Sequence, residues 1–179
     1  VDDSAAPARR SRALLREPPR QGSWWQRLAA TLQLTAAELP PTARAERLLV
    51  VARVHSDGAG DLEAAFSTLT DAALRDLESK RALGALEDLA QRHEAWERLF
   101  RAYGDLLEQV PLQAPRSPSV MALHQRLGEL LLEHREGAEG RRGATEHLEA
   151  ALALDAANAT AAQSLRTIYE EDGAIEALA

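Results

Sequence analysis

Residues 144–158 read ATEHLEAALALDAAN, and 79 positions earlier, at residues 65–79, the chain reads AFSTLTDAALRDLES. Both stretches place Ala and Leu three and four residues apart, which is the period of an amphipathic helix. Ala and Leu favour helices, whereas the aromatic residues that favour strands make up 4% of the chain. The two stretches therefore predict an all-α protein that contains an internal duplication.

The same displacement of 79 positions, which we call the repeat offset, also relates positions outside these two stretches. The matches include His, Gly and Arg, which agree by chance less often than Ala and Leu. They are Arg47 with Arg126, Leu48 with Leu127, His55 with His134, Gly58 with Gly137, Leu86 with Leu165 and Ala95 with Ala174. Trp25 matches Trp96 at a shorter displacement, and the Pro-containing segment 111–118 absorbs the difference. Self-similarity over such a distance is typical of helical-repeat proteins.

The apolar periodicity predicts about nine helices with short connections, so that neighbouring helices are antiparallel. Residues 1–22 are predicted to be a flexible leader that contains Pro and Arg, and 23–179 a helical-repeat domain. The repeat domain divides into unit one at 23–94, unit two at 95–173 and the start of a third unit at 174–179. Ser23, Asp61 and Asn158 are expected to cap the helices that follow them. The glycine-containing stretches 57–60 and 137–143 are expected to be turns.

Three short motifs resemble the tetratricopeptide repeat. Trp96, Leu99 and Tyr103 resemble the Trp-x-x-Leu-x-x-x-Tyr signature of its first helix, and Leu127 with Gly128 resembles its Leu-Gly pair. The pattern of small and large residues in the second helix of the repeat is similar to the one at Ala144, Leu148, Ala151 and Leu152. The resemblance covers 95–179 directly and 23–94 through the duplication, and it implies a solenoid of antiparallel helix pairs of bacterial type. The chain departs from the tetratricopeptide pattern at two places. The connection at 136–142 is about four residues longer than usual, and His124 lies where the pattern has an aromatic residue.

The charge of the chain argues against a large nucleic-acid-binding surface. Asp and Glu number 28 and Lys and Arg 21, a formal net charge of -7. The chain has no Cys, which removes disulfides, thiol nucleophiles and thiolate metal sites. No apolar run approaches the ~18 residues of a membrane span. We therefore expect a cytoplasmic protein without membrane spans, and we expect the chain to be a fragment of a longer one.

No motif predicts a catalytic, cofactor or metal site. The His residues include no pair four positions apart, and no His-Glu-x-x-His is present. No Ser lies in a Gly-x-Ser-x-Gly turn, and no glycine-rich stretch ends in Gly-Lys-Ser/Thr. His55 and His134 are expected to lie at matching helix ends, where an imidazole suits the negative end of the helix dipole. We expect a protein that is not an enzyme and needs no cofactor.

A solenoid of helix pairs implies a concave surface, lined by the first helices, that binds peptides or partner helices. In the family register, the residues expected to face this groove are Arg101, Asp105, Gln125, Glu129, Glu133, Gln163, Thr167 and Glu170. Their acidic balance predicts a scaffold or adaptor that binds a protein or peptide with a basic segment. The alternatives are a self-assembling solenoid, through Ile175 and Leu178 near its end, and a regulatory domain of a larger enzyme or signalling protein.

Overall fold

The computed structural model describes residues 21–78, 80–109, 117–171 and 173, and all regular secondary structure in those ranges is helical, which confirms the predicted all-α class. The α-helices are α1 (Gln21–Ala37), α2 (Pro41–Arg53), α3 (Leu62–Arg75), α4 (Lys80–His93), α5 (Trp96–Gln109), α6 (Pro118–His134), α7 (Gly137–Leu154) and α8 (Ala159–Glu171). A π-helical turn, Val54–Ala59, follows α2 directly. Helix α1 includes the last two residues of the predicted leader; the rest of the leader and the predicted ninth helix lie outside the described residues.

Each helix packs on the next one along the chain, and some alternate helices also meet. The pairs α2 with α3 and α6 with α7 pack most extensively, while α3 also contacts α5, α2 contacts α4, and α6 contacts α8. Helix α1 covers α2 and the π-helical turn. Helix α5 packs on α6, and here the backbones of the first five helices come closest to those of the last three. At this junction the Trp96 ring stacks on His134, with ring centroids 3.5 Å apart.

The core is built from Leu and Ala that recur at helical spacing. In α2, for example, the buried residues are Ala45, Leu48, Val51 and Ala52. The largest fully buried side chains of the described residues include Tyr103, Leu48, Leu86, Leu99, Leu106 and Leu148. Each Leu contributes about 1.5–3 kcal/mol by leaving water, and the Ala residues between them let helices approach closely.

The N-caps predicted at Asp61 and Asn158 are confirmed, whereas the one predicted at Ser23 is wrong, because α1 begins two residues earlier, at Gln21. The Asp61 carboxylate accepts the backbone N–H of Ala64 at 3.0 Å, at the start of α3. The Asn158 side-chain oxygen accepts the backbone N–H of Ala161 at 3.1 Å, at the start of α8. These bonds satisfy amides that have no partner inside the helix, so each helix begins where the sequence places it.

The end of α2 differs from the prediction. The stretch expected to be a turn belongs largely to the π-helical turn, and the left-handed residue that ends it is Gly60, with φ of 68°. A Cβ on Gly58 would lie 2.5 Å from Trp25 Cδ2, so Gly58 is required by the packing of Trp25 and not by chain reversal. Because helix continues through Ala59, the prediction that His55 lies at a helix end is wrong, whereas His134 is the last residue of α6.

The second predicted turn, at 137–143, is also wrong, because these residues form the start of α7. Only Arg135 and Glu136 separate α6 from α7. Gly140 is buried against the backbone carbonyl of Arg135, and a Cβ at that position would overlap it. The glycines therefore let α7 begin directly beside the end of α6.

Two helix ends in the first half of the chain have counterparts in the second half at the repeat offset. Helices α3 and α7 end 79 positions apart, and α4 and α8 begin 79 positions apart. Asp76 and Asp155, which directly follow α3 and α7, each donate their backbone N–H to the carbonyl four residues earlier, at 3.3 and 3.0 Å.

Candidate functional site

Three ion pairs join successive helix pairs, and each links residues 35 positions apart. They are Arg81 with Glu46, Arg92 with Asp57 at 3.2 Å, and Arg98 with Glu63 at 3.3 Å. The first two connect α4 to α2 and its π-helical turn, and the third connects α5 to α3. Each pair is exposed and contributes at most about 1 kcal/mol. Their common spacing shows that α2 faces α4 and that α3 faces α5.

An open groove, which we name the first groove, runs between α2 with its π-helical turn and α4. Its volume is about 750 Å³. Apolar residues such as Ala52 and Leu89 lie between charged ones, and the charged residues are Arg53, Asp57, Lys80, Arg81, Asp88 and Arg92. Gly84 also lines the groove, and no heavy atom lies within 4 Å of a Cβ added there. The groove is therefore open enough to admit a side chain from a partner.

A second groove, of about 410 Å³, lies where the end of α6, the start of α7 and α8 meet. Of the nine residues that line it, seven lie 79 positions after a residue that lines the first groove. The seven are Leu132, Arg135, Glu136, Ser164, Thr167, Ile168 and Glu171. Equivalent positions in the two halves of the chain therefore build both grooves.

The predicted groove residues lie on α5, α6 and α8, and those that line a groove do not all line the same one. Arg101 and Asp105 line a separate groove between α3 and α5. Thr167 lines the second groove, and its hydroxyl donates to the backbone carbonyl of Gln163 at 3.1 Å. Glu170 accepts a hydrogen bond from an Arg on its own helix at 2.7 Å.

The three predicted residues on α6 surround Arg126. The Gln125 amide donates to Glu129 at 2.8 Å, and Arg126 Nη1 donates to the other oxygen of Glu129 at 3.3 Å. Arg126 Nη1 also lies 3.9 Å from Glu133. The carboxylates that were expected to meet a basic ligand therefore already face a cation of this chain.

Arg126 also connects the two halves through Glu87 of α4. Its Nε and Nη2 donate to the two oxygens of Glu87 at 3.0 and 2.7 Å, and the Tyr103 hydroxyl donates to Glu87 at 2.7 Å. Burial opposes ionisation of Glu87, but hydrogen bonds from Arg126 and Tyr103 outweigh it and hold the pKa of this carboxyl below its ordinary value. Burial and the adjacent carboxylate raise the pKa of Tyr103. Sequence reasoning missed this cross-link, because Glu87 and Arg126 belong to no local motif.

We expect Arg126→Ala to lower the free energy of unfolding by about 1–2 kcal/mol, because it leaves the half-buried Glu87 carboxylate without its cation. Chemical denaturation at neutral pH measures the loss. Arg135→Ala is the matched control: its guanidinium is about as exposed as that of Arg126, but its partner Glu97, 3.5 Å away, is 70% exposed, so the change should cost less than about 1 kcal/mol. Equal losses in the two variants would contradict a special role for the Glu87 contact.

His124 of α6 and His147 of α7 form a second contact that the sequence did not reveal. Their Nδ1 atoms lie 3.1 Å apart. Burial lowers the pKa of both, and for His124 the neighbouring His147 lowers it further. One repeat offset earlier, the equivalent positions hold Ala45 and Thr68, both buried, so this kind of helix pair does not require His there. A hydrogen bond between the two Nδ1 atoms requires that one of them carries a proton and the other does not. Protonation of both rings would therefore break this contact.

These His residues predict an acid-sensitive stability. Because the pKa of each His is lower in the folded chain, the unfolded chain takes up protons at a higher pH than the folded chain does. The free energy of unfolding is therefore unaffected by these His residues above about pH 6.5, and it falls as the pH falls through the folded-state pKa. Thermal unfolding from neutral pH down to about pH 5, which is above the range in which Glu87 titrates, measures the loss. The variant His124→Ala with His147→Thr, which copies Ala45 and Thr68, should be less sensitive to pH. An unchanged slope in that variant would rule this explanation out.

Two further observations bound the kind of site. In the described ranges, no three His, Cys, Asp or Glu side chains are grouped so that they could hold a metal ion. Of the helices seen there, none has the length and apolar character needed to cross a membrane. Comparison of the chain with protein-family models and with curated proteins finds no match.

Proposed function

We propose that this chain is a non-enzymatic protein-interaction module of tetratricopeptide-like architecture, acting as a scaffold or adaptor. Helix pairs would stack into a solenoid, and the grooves between successive pairs would bind a peptide or partner segment. The observation that carries the proposal is that equivalent positions of the two halves build the two grooves. The cytoplasmic setting and bacterial origin expected from the sequence belong to the same proposal.

Two details support the solenoid. The constant spacing of 35 positions between ion-paired residues is close to the about 34 residues of a tetratricopeptide repeat. A Cβ on Gly128 would lie 2.7 Å from Leu148 Cγ and 3.2 Å from the carbonyl oxygen of Ala144, so the glycine of the Leu-Gly pair lies at a close approach of α6 and α7. Small residues at such contacts are what lets two paired helices pack closely.

The same contacts set the register of the proposed array. Arg98 connects α5 to α3, and the repeat offset relates α2 to α6, α3 to α7 and α4 to α8. First helices are then α2, α4, α6 and α8, and both grooves lie between successive first helices. In this register α5 is a second helix, although Trp96, Leu99 and Tyr103 resemble a first-helix signature. Arg101 and Asp105 would therefore lie on the opposite face from the two grooves.

A peptide-library selection followed by groove-filling variants tests the proposal. Peptides selected on the unmodified chain would be measured against Gly84→Trp, which fills the first groove, and Ser164→Trp, which fills the second. The control is Gly104→Trp on α5, because Gly104 is also open to an added side chain and lines neither groove. We expect each selected peptide to lose binding with one groove variant and to keep it with the control. Peptides that bind all variants equally would contradict the grooves as binding sites.

Self-assembly is the second candidate function, and exposed apolar residues of α1 favour it. Leu34 is 74% exposed and Trp24 is 41% exposed on the first described helix. Ile175 and Leu178, the apolar residues first expected to mediate assembly, lie outside the described residues. Sedimentation at several concentrations separates the two functions: a monomer favours the interaction module, and a concentration-dependent polymer that Leu34→Gln disperses favours assembly.

A further inference from the structure

We propose that the first groove binds an acidic, extended segment of a partner protein, whose carboxylates meet Arg53 and Lys80. This inference rests on the proposed function, and it adds the chemistry of the ligand and the groove that takes it. It differs from the basic ligand that the sequence predicts from the acidic balance of the eight candidate groove residues.

The first groove carries an excess of positive charge, although the chain as a whole is acidic. Four Lys or Arg and two carboxylates line it, although the chain carries a formal net charge of -7. Arg92 pairs with Asp57 of the lining and Arg81 with Glu46 of α2, and these pairs hold α4 against α2. Arg53 and Lys80 are exposed, and within the described part of the chain no carboxylate lies at ion-pair distance from either, although the charge of Arg53 helps to lower the pKa of Asp57. Two cations are thus available to a ligand.

The second half of the chain shows that helix packing does not require these cations. One repeat offset later, Arg53 is replaced by Leu132 and Lys80 by Ala159. Arg81 and Arg92 are likewise replaced, by Thr160 and Glu171. Of these four equivalents, Leu132 and Glu171 line the second groove, and its charged residues are two Arg, at 135 and 141, and two Glu, at 136 and 171, so that groove carries no net positive charge. The excess of positive charge belongs to the first groove and not to its counterpart, which is what a ligand-binding role predicts.

The dimensions favour a short peptide. Lys80 and Arg92 lie at the two ends of α4, twelve residues and therefore about 18 Å apart along the helix. An extended segment of about five or six residues covers this distance, with alternate side chains directed at the groove. A long polyanion such as nucleic acid would also meet the acidic remainder of the molecule, which repels it.

Fluorescence anisotropy with labelled peptides tests the inference. The probes are three short peptides in which Ser alternates with Glu, with Lys or with Gln. The groove variant is Arg53→Leu with Lys80→Ala, the residues that the second half of the chain carries at these positions. The control variant is Arg142→Leu with Arg166→Ala, which removes the same charge from residues outside both grooves. Circular dichroism checks that each variant keeps its helical content.

We expect the Glu peptide to bind the unmodified chain. The groove variant should weaken this binding about tenfold or more, whereas the control variant should change it less than about threefold. Absence of Glu-peptide binding, or equal weakening by both variants, would overturn the inference. A single-stranded oligonucleotide that binds as well as the Glu peptide and responds to the groove variant would overturn it too. If the Lys or the Gln peptide binds instead and Gly84→Trp abolishes this binding, the first groove binds peptides that are not acidic. That result would refute the acidic ligand and leave the interaction module standing. Failure of these peptides and of the library selection together would refute both.

Discussion

Replacing Leu148 by Ala is expected to lower the free energy of unfolding by about 3–4 kcal/mol, because the change removes a large apolar side chain and leaves a cavity. Leu148 is fully buried and lies against Gly128 of the neighbouring helix, so the surrounding backbone has little room to collapse into the space. Denaturant unfolding followed by circular dichroism measures the loss. The control is Leu34→Ala, at a side chain that is 74% exposed, where the change should stay within about 0.5 kcal/mol. A loss of less than about 1 kcal/mol at Leu148 would show that α6 and α7 are not tightly packed.

Gly→Ala substitutions are expected to have opposite effects at different positions. At Gly128 the new Cβ would lie 2.7 Å from Leu148 Cγ, and the overlap should cost about 1–3 kcal/mol. At Gly84 and Gly104 a Cβ meets no heavy atom within 4 Å, so Ala should stabilise the helix by about 0.5–1 kcal/mol through its better helix propensity. Thermal unfolding of the three variants measures both signs.

The pairing of Gly128 with Leu148 offers an internal check on both expectations. In the double variant Gly128→Ala with Leu148→Ala, the smaller side chain on α7 leaves room for the new Cβ on α6. The combined loss should then be smaller than the sum of the two single losses. Additive losses, or three glycine substitutions with the same sign, would contradict the close approach of the two helices.

The helices could be predicted because the signals that specify them are local. Ala and Leu at spacings of three and four residues mark a buried face, and Asp61 and Asn158 satisfy amides within three residues of themselves. Both turns predicted from glycines were wrong, because the role of a glycine depends on residues that are distant in the sequence. A glycine that reverses the chain and a glycine that admits a neighbouring helix look the same in a sequence, and only the position of Trp25 distinguishes the role of Gly58 from that of Gly60.

The candidate site was harder to predict than the helices. A regular signal was present, since oppositely charged residues lie 35 positions apart in three ion pairs, but it becomes meaningful only when one knows that these residues face each other. The motif at Trp96 led to a register in which Arg101 and Asp105 share a surface with the residues of α6, whereas in the structure these two residues line a groove between α3 and α5. His124 and His147, 23 positions apart, carry no pattern that marks their contact.

The amino-acid order alone specifies an all-α chain, the approximate extent of its helices and the residues that cap them. Each of these depends on interactions among residues a few positions apart. The roles of Gly58 and Gly128, the contact of Glu87 with Arg126 and the meeting of Arg53 and Lys80 at one groove depend on the distances between helices. Those distances follow from how the Leu and Ala faces of several helices fill a common core, which periodicity along a single helix does not specify.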